Sequence, residues 1–123
     1  MREGKATDVG PVASRVSDIR RGTRITCEIR VTLTSLDSRH PFSEQVLIIL
    51  VNPHGCAARC GRPLELGTAV KLESLPEGAN ITARVVNCIG IGNYDRFWLL
   101  GLSLDEPGNV WGIEVIPEDW REH

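Results

Sequence analysis

Lysine is almost missing from this 123-residue chain: of fourteen cationic residues only Lys5 and Lys71 are lysines, and the other twelve are arginines. A surplus of positive charge is missing too, because sixteen Asp and Glu residues leave a net charge of −2. Proteins that live on duplex nucleic acid or anionic membranes carry a basic excess, so DNA, RNA and a membrane surface are not expected partners. Aromatic residues amount to 5%, too few for the exposed stacking platforms of a single-strand-binding barrel. No segment approaches the roughly 20 apolar residues that cross a bilayer. The longest apolar run, Val46–Val51, has the length of a buried strand. The opening residues, MREGKATDVGPVASRV, lack the apolar centre of a secretory leader. The expected location is therefore the cytoplasm, where Cys27, Cys56, Cys60 and Cys88 stay reduced.

What the chain does have is alternation. Over Thr23–Leu33, the residues Ile25, Cys27, Ile29, Val31 and Leu33 fall on one face, and Thr26, Glu28, Arg30 and Thr32 on the other. That is the pattern of a half-buried antiparallel strand. Ser35–Pro41 reads as a turn and Ser43–Val51 as a second strand. The second strand ends at Asn52-Pro53-His54-Gly55, because proline cannot donate to a ladder. Further strands are expected over 56–60, 68–75, 80–89 and 96–104. Turn segments separate them at Gly61–Gly67, Pro76–Gly78 and Gly90–Asn93. Six short strands without crossover helices predict an all-β fold, a six-stranded antiparallel barrel or sandwich spanning 18–123 as one domain. Residues 1–17 read as a flexible N-terminal arm, and the residues after Asn109 as a short tail or helix. Trp111 and Trp120 in that tail are read as hydrophobic plugs across an opening of the barrel.

Arg20, Arg21 and Arg24 place three guanidinium groups within five residues, ahead of the first strand. Arginine suits flat, bidentate recognition of phosphate oxygens and of the guanine edge. With the first hairpin turn centred near Ser38, antiparallel pairing sets Arg24 opposite Asn52. The cluster then stands beside the Asn52–Gly55 turn, whose backbone N–H groups complete an anion clamp. A solvated charge cluster is the bland alternative.

These residues carry a resemblance. Arg20-Arg21-Gly22-Thr23-Arg24 fits the RxxxR motif that precedes the first strand in PilZ domains, and Leu50-Val51-Asn52-Pro53-His54-Gly55 falls where the family has [D/N]xSxxG. Arg62-Pro63-Leu64-Glu65-Leu66-Gly67-Thr68-Ala69-Val70-Lys71-Leu72, Thr82-Ala83-Arg84-Val85-Val86 and Pro107–Ile113 are similar to later parts of the same family, so the likeness spans about 18–120. The chain thus resembles a single-domain bacterial PilZ protein. The resemblance implies a PilZ-type barrel that is no enzyme and has no metal or cofactor. It also implies a cyclic di-GMP ligand, with an effector protein as the partner to which the signal is relayed. Carried over by position, Arg20 and Arg24, assisted by Arg21, would clamp guanine edges and phosphates, and Asn52 and Gly55 would complete the site. The second motif departs from the pattern, because Leu50 occupies the Asp/Asn position and Asn52 the Ser position. Losing a charge-assisted bond costs on the order of 1.5–3 kcal/mol, about one to two powers of ten in affinity. The alternative is a degenerate PilZ-like module that binds a protein and ignores the nucleotide. Plain alternation leaves open whether Leu50 faces a ligand or the core.

Other chemistry finds little footing. The Cys56-x3-Cys60 spacing is too wide for a zinc knuckle, and Cys27 lies on an apolar face. His54 and Cys56 lack an orienting Asn or Asp at a diagnostic spacing. The acidic neighbours Asp105–Glu106 and Glu118–Asp119 read as solvated loop ends.

Overall fold

The alternating run predicted for the first strand is a strand, β1 (Ile25–Ser35), with its even-numbered residues from Thr26 to Arg30 exposed and Val31 and Leu33 fully buried. The structure, a computed structural model, describes residues 23–78, 80–93 and 96–122. The arm expected at 1–17, the start of the domain at 18, and Arg20 and Arg21 lie outside the described residues.

Five more strands follow: β2 (Ser43–Asn52), β3 (Gly55–Cys60), β4 (Ala69–Glu73), β5 (Ile81–Ile91) and β6 (Phe97–Leu104). All pairings are antiparallel, and the strand order β1-β2-β3-β6-β5-β4 returns to β1 through a β4–β1 pairing. The sheet therefore closes on itself. The inward-facing rows supply the core, including Leu33, Ile48, Val70, Leu72, Val85, Leu100 and Leu102. Trp111 and Trp120, from the segment after β6, are 1% and 4% exposed and join that core, as plugs were expected to do. A 3-10 turn, Glu118–Glu122, ends the described chain. Among the described residues no helix is long and apolar enough to cross a membrane.

Strand ends differ from the sequence expectation for local reasons. β1 starts at Ile25 and not at Thr23, because the polar atoms of Thr23 are bonded to the C-terminal segment and not to a ladder. β4 stops at Glu73 because Ser74 takes a positive φ of 71°, which breaks the pleat. β5 runs through Gly90 to Ile91, paired with Trp98 and Phe97. The turn foreseen at Gly90–Asn93 is confined to its second half, where Gly92 supplies a φ of 90°.

Three β-bulges interrupt the sheet. Cys27 and Glu28 together oppose Ile49 between β1 and β2, Ile49 is the extra residue of β2 against β3, and Val86 is the extra residue of β5 against β6. Each bulge shifts the side-chain alternation by one position. Ile48 and Val51 are consequently both buried although three residues apart, and Leu50 is turned to the outside.

Candidate functional site

Beyond the bulges, the register aligns one row of residues across five strands: Thr26, Leu50, Ala57, Gly101 and Asn87. The next row, Val51, Cys56, Leu102 and Val85, points inward. The row after that, Asn52, Gly55, Ser103 and Arg84, points outward again. All members of the two outward rows except Thr26 and Arg84 border an open groove of about 380 Å3 on the outer face of the sheet. Ala57 and Gly101 make a low floor, and Leu50 stands on one side with Val86 and Ile89 on the other. Val86 and Ile89 are 58% and 46% exposed, so the far wall is apolar surface left in water.

Polar groups gather at one end of the groove. Arg24 lines it with Asn52, His54 and Gly55. The last β1–β2 pair is Ile25 with Val51, so continuing the register by one residue sets Arg24 level with Asn52, as the hairpin arithmetic predicts. No carboxylate lines the groove among the described residues, and Arg24 is its one arginine there.

The turn that carries this end is tied down on every side. Asn52 Oδ1 accepts the backbone N–H groups of His54 at 2.8 Å and Gly55 at 3.0 Å, an Asx-type turn built by its own side chain. Three successive carbonyls then receive donors from the end of β6 and the segment after it: Asn52 O from Trp111 Nε1 at 2.8 Å, Pro53 O from Gly108 N at 2.8 Å, and His54 O from Leu104 N, the last residue of β6, at 2.8 Å. Gly55 is required by sterics, because a Cβ there would run into the Leu102 carbonyl of β6. Two of the motif residues thus have structural duties at the turn.

The other side of the arginine end is held by the C-terminal 3-10 turn. Thr23 donates its backbone N–H (2.9 Å) and its hydroxyl (2.8 Å) to Asp119 Oδ2, and its carbonyl accepts Trp120 Nε1 at 2.6 Å. Comparison with known proteins finds no match among family models, curated proteins or solved structures.

The cysteines take no visible part in the groove's chemistry. Burial pushes the Cys56 thiol far up from its ordinary value, with Cys27 nearby adding to the effect, although Cys56 borders the groove. Burial likewise raises Cys27, and raises Cys60, whose thiol also lies 3.6 Å from Glu44 Oε2. All three favour the protonated form, a poor nucleophile and a poor metal ligand.

Of the residues singled out in the sequence, Arg24, Leu50, Asn52 and Gly55 come together on the groove. Its opposite wall, Val86, Ile89 and Leu99, was not foreseen, nor was the floor residue Gly101. The signals were there: the adjacent apolar residues Val85-Val86, which break the alternation running from Ile81 to Val85, mark a bulge, and a glycine inside Phe97–Leu104 marks a close approach. The tethering of Thr23 by Asp119 and Trp120 had no sequence signal, since the partners lie 96 and 97 positions apart.

Proposed function

We propose that this chain is a PilZ-type barrel acting as a cytoplasmic cyclic di-GMP receptor module, a binding protein and not an enzyme, that relays occupancy of its groove to a partner protein. The observation carrying this reading is convergence: Arg24, from one motif-like segment, and Leu50, Asn52 and Gly55, from another, line one groove. Two features of the groove support this reading. Arg24 supplies a planar cation for phosphate or for the O6/N7 edge of guanine, and the shallow, apolar-walled floor accepts a flat ring. In the reading proposed, Arg20 and Arg21, which lie outside the described residues, act together with Arg24.

A second reading has its own support. Leu50 borders the groove where a hydrogen-bonding residue stands in the family pattern, and Val86 and Ile89 face it with exposed apolar surface. A groove with two apolar walls suits a side chain of a protein partner, the nucleotide playing no part.

Calorimetric titration of the chain with cyclic di-GMP, with Arg20→Ala and Arg24→Ala as controls, separates the two. Micromolar or tighter binding lost in both variants supports the receptor. No heat and no thermal shift at high micromolar ligand overturns it and leaves a protein-binding module.

A further inference from the structure

We propose that Asp119 and Trp120 are positioning residues for Arg24, so that docking of the C-terminal segment and occupancy of the groove are energetically linked. The proposal rests on the receptor reading above and adds to it a structural route from the ligand to another part of the molecule.

Thr23 immediately precedes Arg24, and each of its backbone polar groups is committed to the C-terminal segment: its N–H to Asp119 Oδ2 and its carbonyl to Trp120 Nε1. The hydroxyl doubles the bond to the same carboxylate oxygen. Trp120 is an anchored donor, since its ring is 4% exposed within the core. Thr23 belongs to no strand, so this clasp does the work a ladder does elsewhere. The same segment reaches the opposite side of the groove's polar end, because Trp111 Nε1 holds the Asn52 carbonyl at 2.8 Å. One stretch of chain therefore braces both Arg24's neighbour and the Asn52 turn, adding to the β1–β2 register that sets them level. If the docked segment favours ligand by some factor, ligand favours the docked segment by the same factor.

Both Thr23 bonds converge on one carboxylate oxygen, so an asparagine carbonyl can replace it. The test is cyclic di-GMP affinity of the full chain and of Asp119→Ala, Asp119→Asn, Trp120→Phe and Arg24→Ala, with hydrogen exchange at the Thr23 and Trp120 amides with and without ligand. Asp119→Ala should weaken binding roughly five- to twentyfold, as expected for two lost hydrogen bonds, with Asp119→Asn within about threefold of the parent. Ligand should slow exchange at both amides in the parent chain. Because Asp119 is exposed, its variants should fold, and melting curves check this. Unchanged affinity in Asp119→Ala, where Arg24→Ala loses it, overturns the positioning role and leaves the receptor reading standing. An Asp119→Asn variant as weak as Asp119→Ala also overturns it, because charge and not hydrogen bonding would then be acting. A parent chain that takes no cyclic di-GMP overturns both.

Discussion

The indole N–H of Trp111 donates to the backbone carbonyl of Asn52 at 2.8 Å, across 59 positions of sequence. Trp111 is 1% exposed, so this bond is made in a shielded place and its loss is not readily made good by water. Trp111→Phe keeps most of the packed ring and deletes the donor. The expected cost is about 1–2 kcal/mol, read as a lower denaturant midpoint at unchanged slope, together with faster exchange of the His54 and Gly55 amides.

Asn52 separates a role in the fold from a role in binding. Asn52→Asp retains the acceptor for the two turn amides, whereas Asn52→Ala removes it. The alanine variant should lose about 1 kcal/mol of stability and the aspartate variant much less. Thermal melts of the pair decide whether the Asx turn is what the side chain supplies.

Gly55 and Gly67 should respond differently to the same changes. Gly67 has a φ of 89° and open space around it, so alanine there pays only for the left-handed backbone, about 1–2 kcal/mol. Asparagine, which tolerates that region, should recover most of the loss. At Gly55 the obstacle is the Leu102 carbonyl, so alanine should cost about 2–3 kcal/mol and asparagine should recover nothing. Melting temperatures of the four variants test this.

The β1–β2 hairpin could be read from the sequence because an alternating run and an unbroken apolar run flank a polar turn, and so could the burial of Trp111 and Trp120. Leu50 could not be placed. Counted by twos from Ile48 it belongs in the core, and only the bulge at Ile49 turns it to the groove. A bulge depends on how the neighbouring strands pair, which one strand's pattern does not report. Arg24 was placed beside Asn52 by hairpin arithmetic. The β5–β6 wall was not, because it reaches β3 through a pairing of strands far apart in sequence.

Leu50 therefore offers a gain-of-function test of the receptor reading. It lines the groove and is absent from the buried core, so Leu50→Asn should fold with little change in stability. It should raise cyclic di-GMP affinity by about one power of ten, the worth of one restored hydrogen bond to a base. Unaltered or weaker binding in calorimetry would count against guanine lying next to this position.

The buried thiols predict an alkaline limit. Cys27, Cys56 and Cys60 are all raised from an ordinary 9.0 by burial. Below that value both folded and unfolded chains hold these protons, and the thiols leave stability independent of pH. Above it the unfolded chain releases protons that the folded chain keeps, so stability falls as pH rises. Urea denaturation at pH 8 and at pH 10 should show the decline, and Cys56→Ala should make it shallower. An equal slope in the variant would show that Cys56 is not responsible.

β4 is held by four residue pairs to β1 and four to β5, against eight for β1–β2 and eight for β5–β6. It also contributes no residue to the groove. Local opening starts where few bonds must break at once, so the ring should unzip first at β4. What remains is an open ribbon, β1-β2-β3-β6-β5, with the groove intact along its middle. The molecule's seam of least resistance thus lies away from the groove, and breathing at one leaves the other in register.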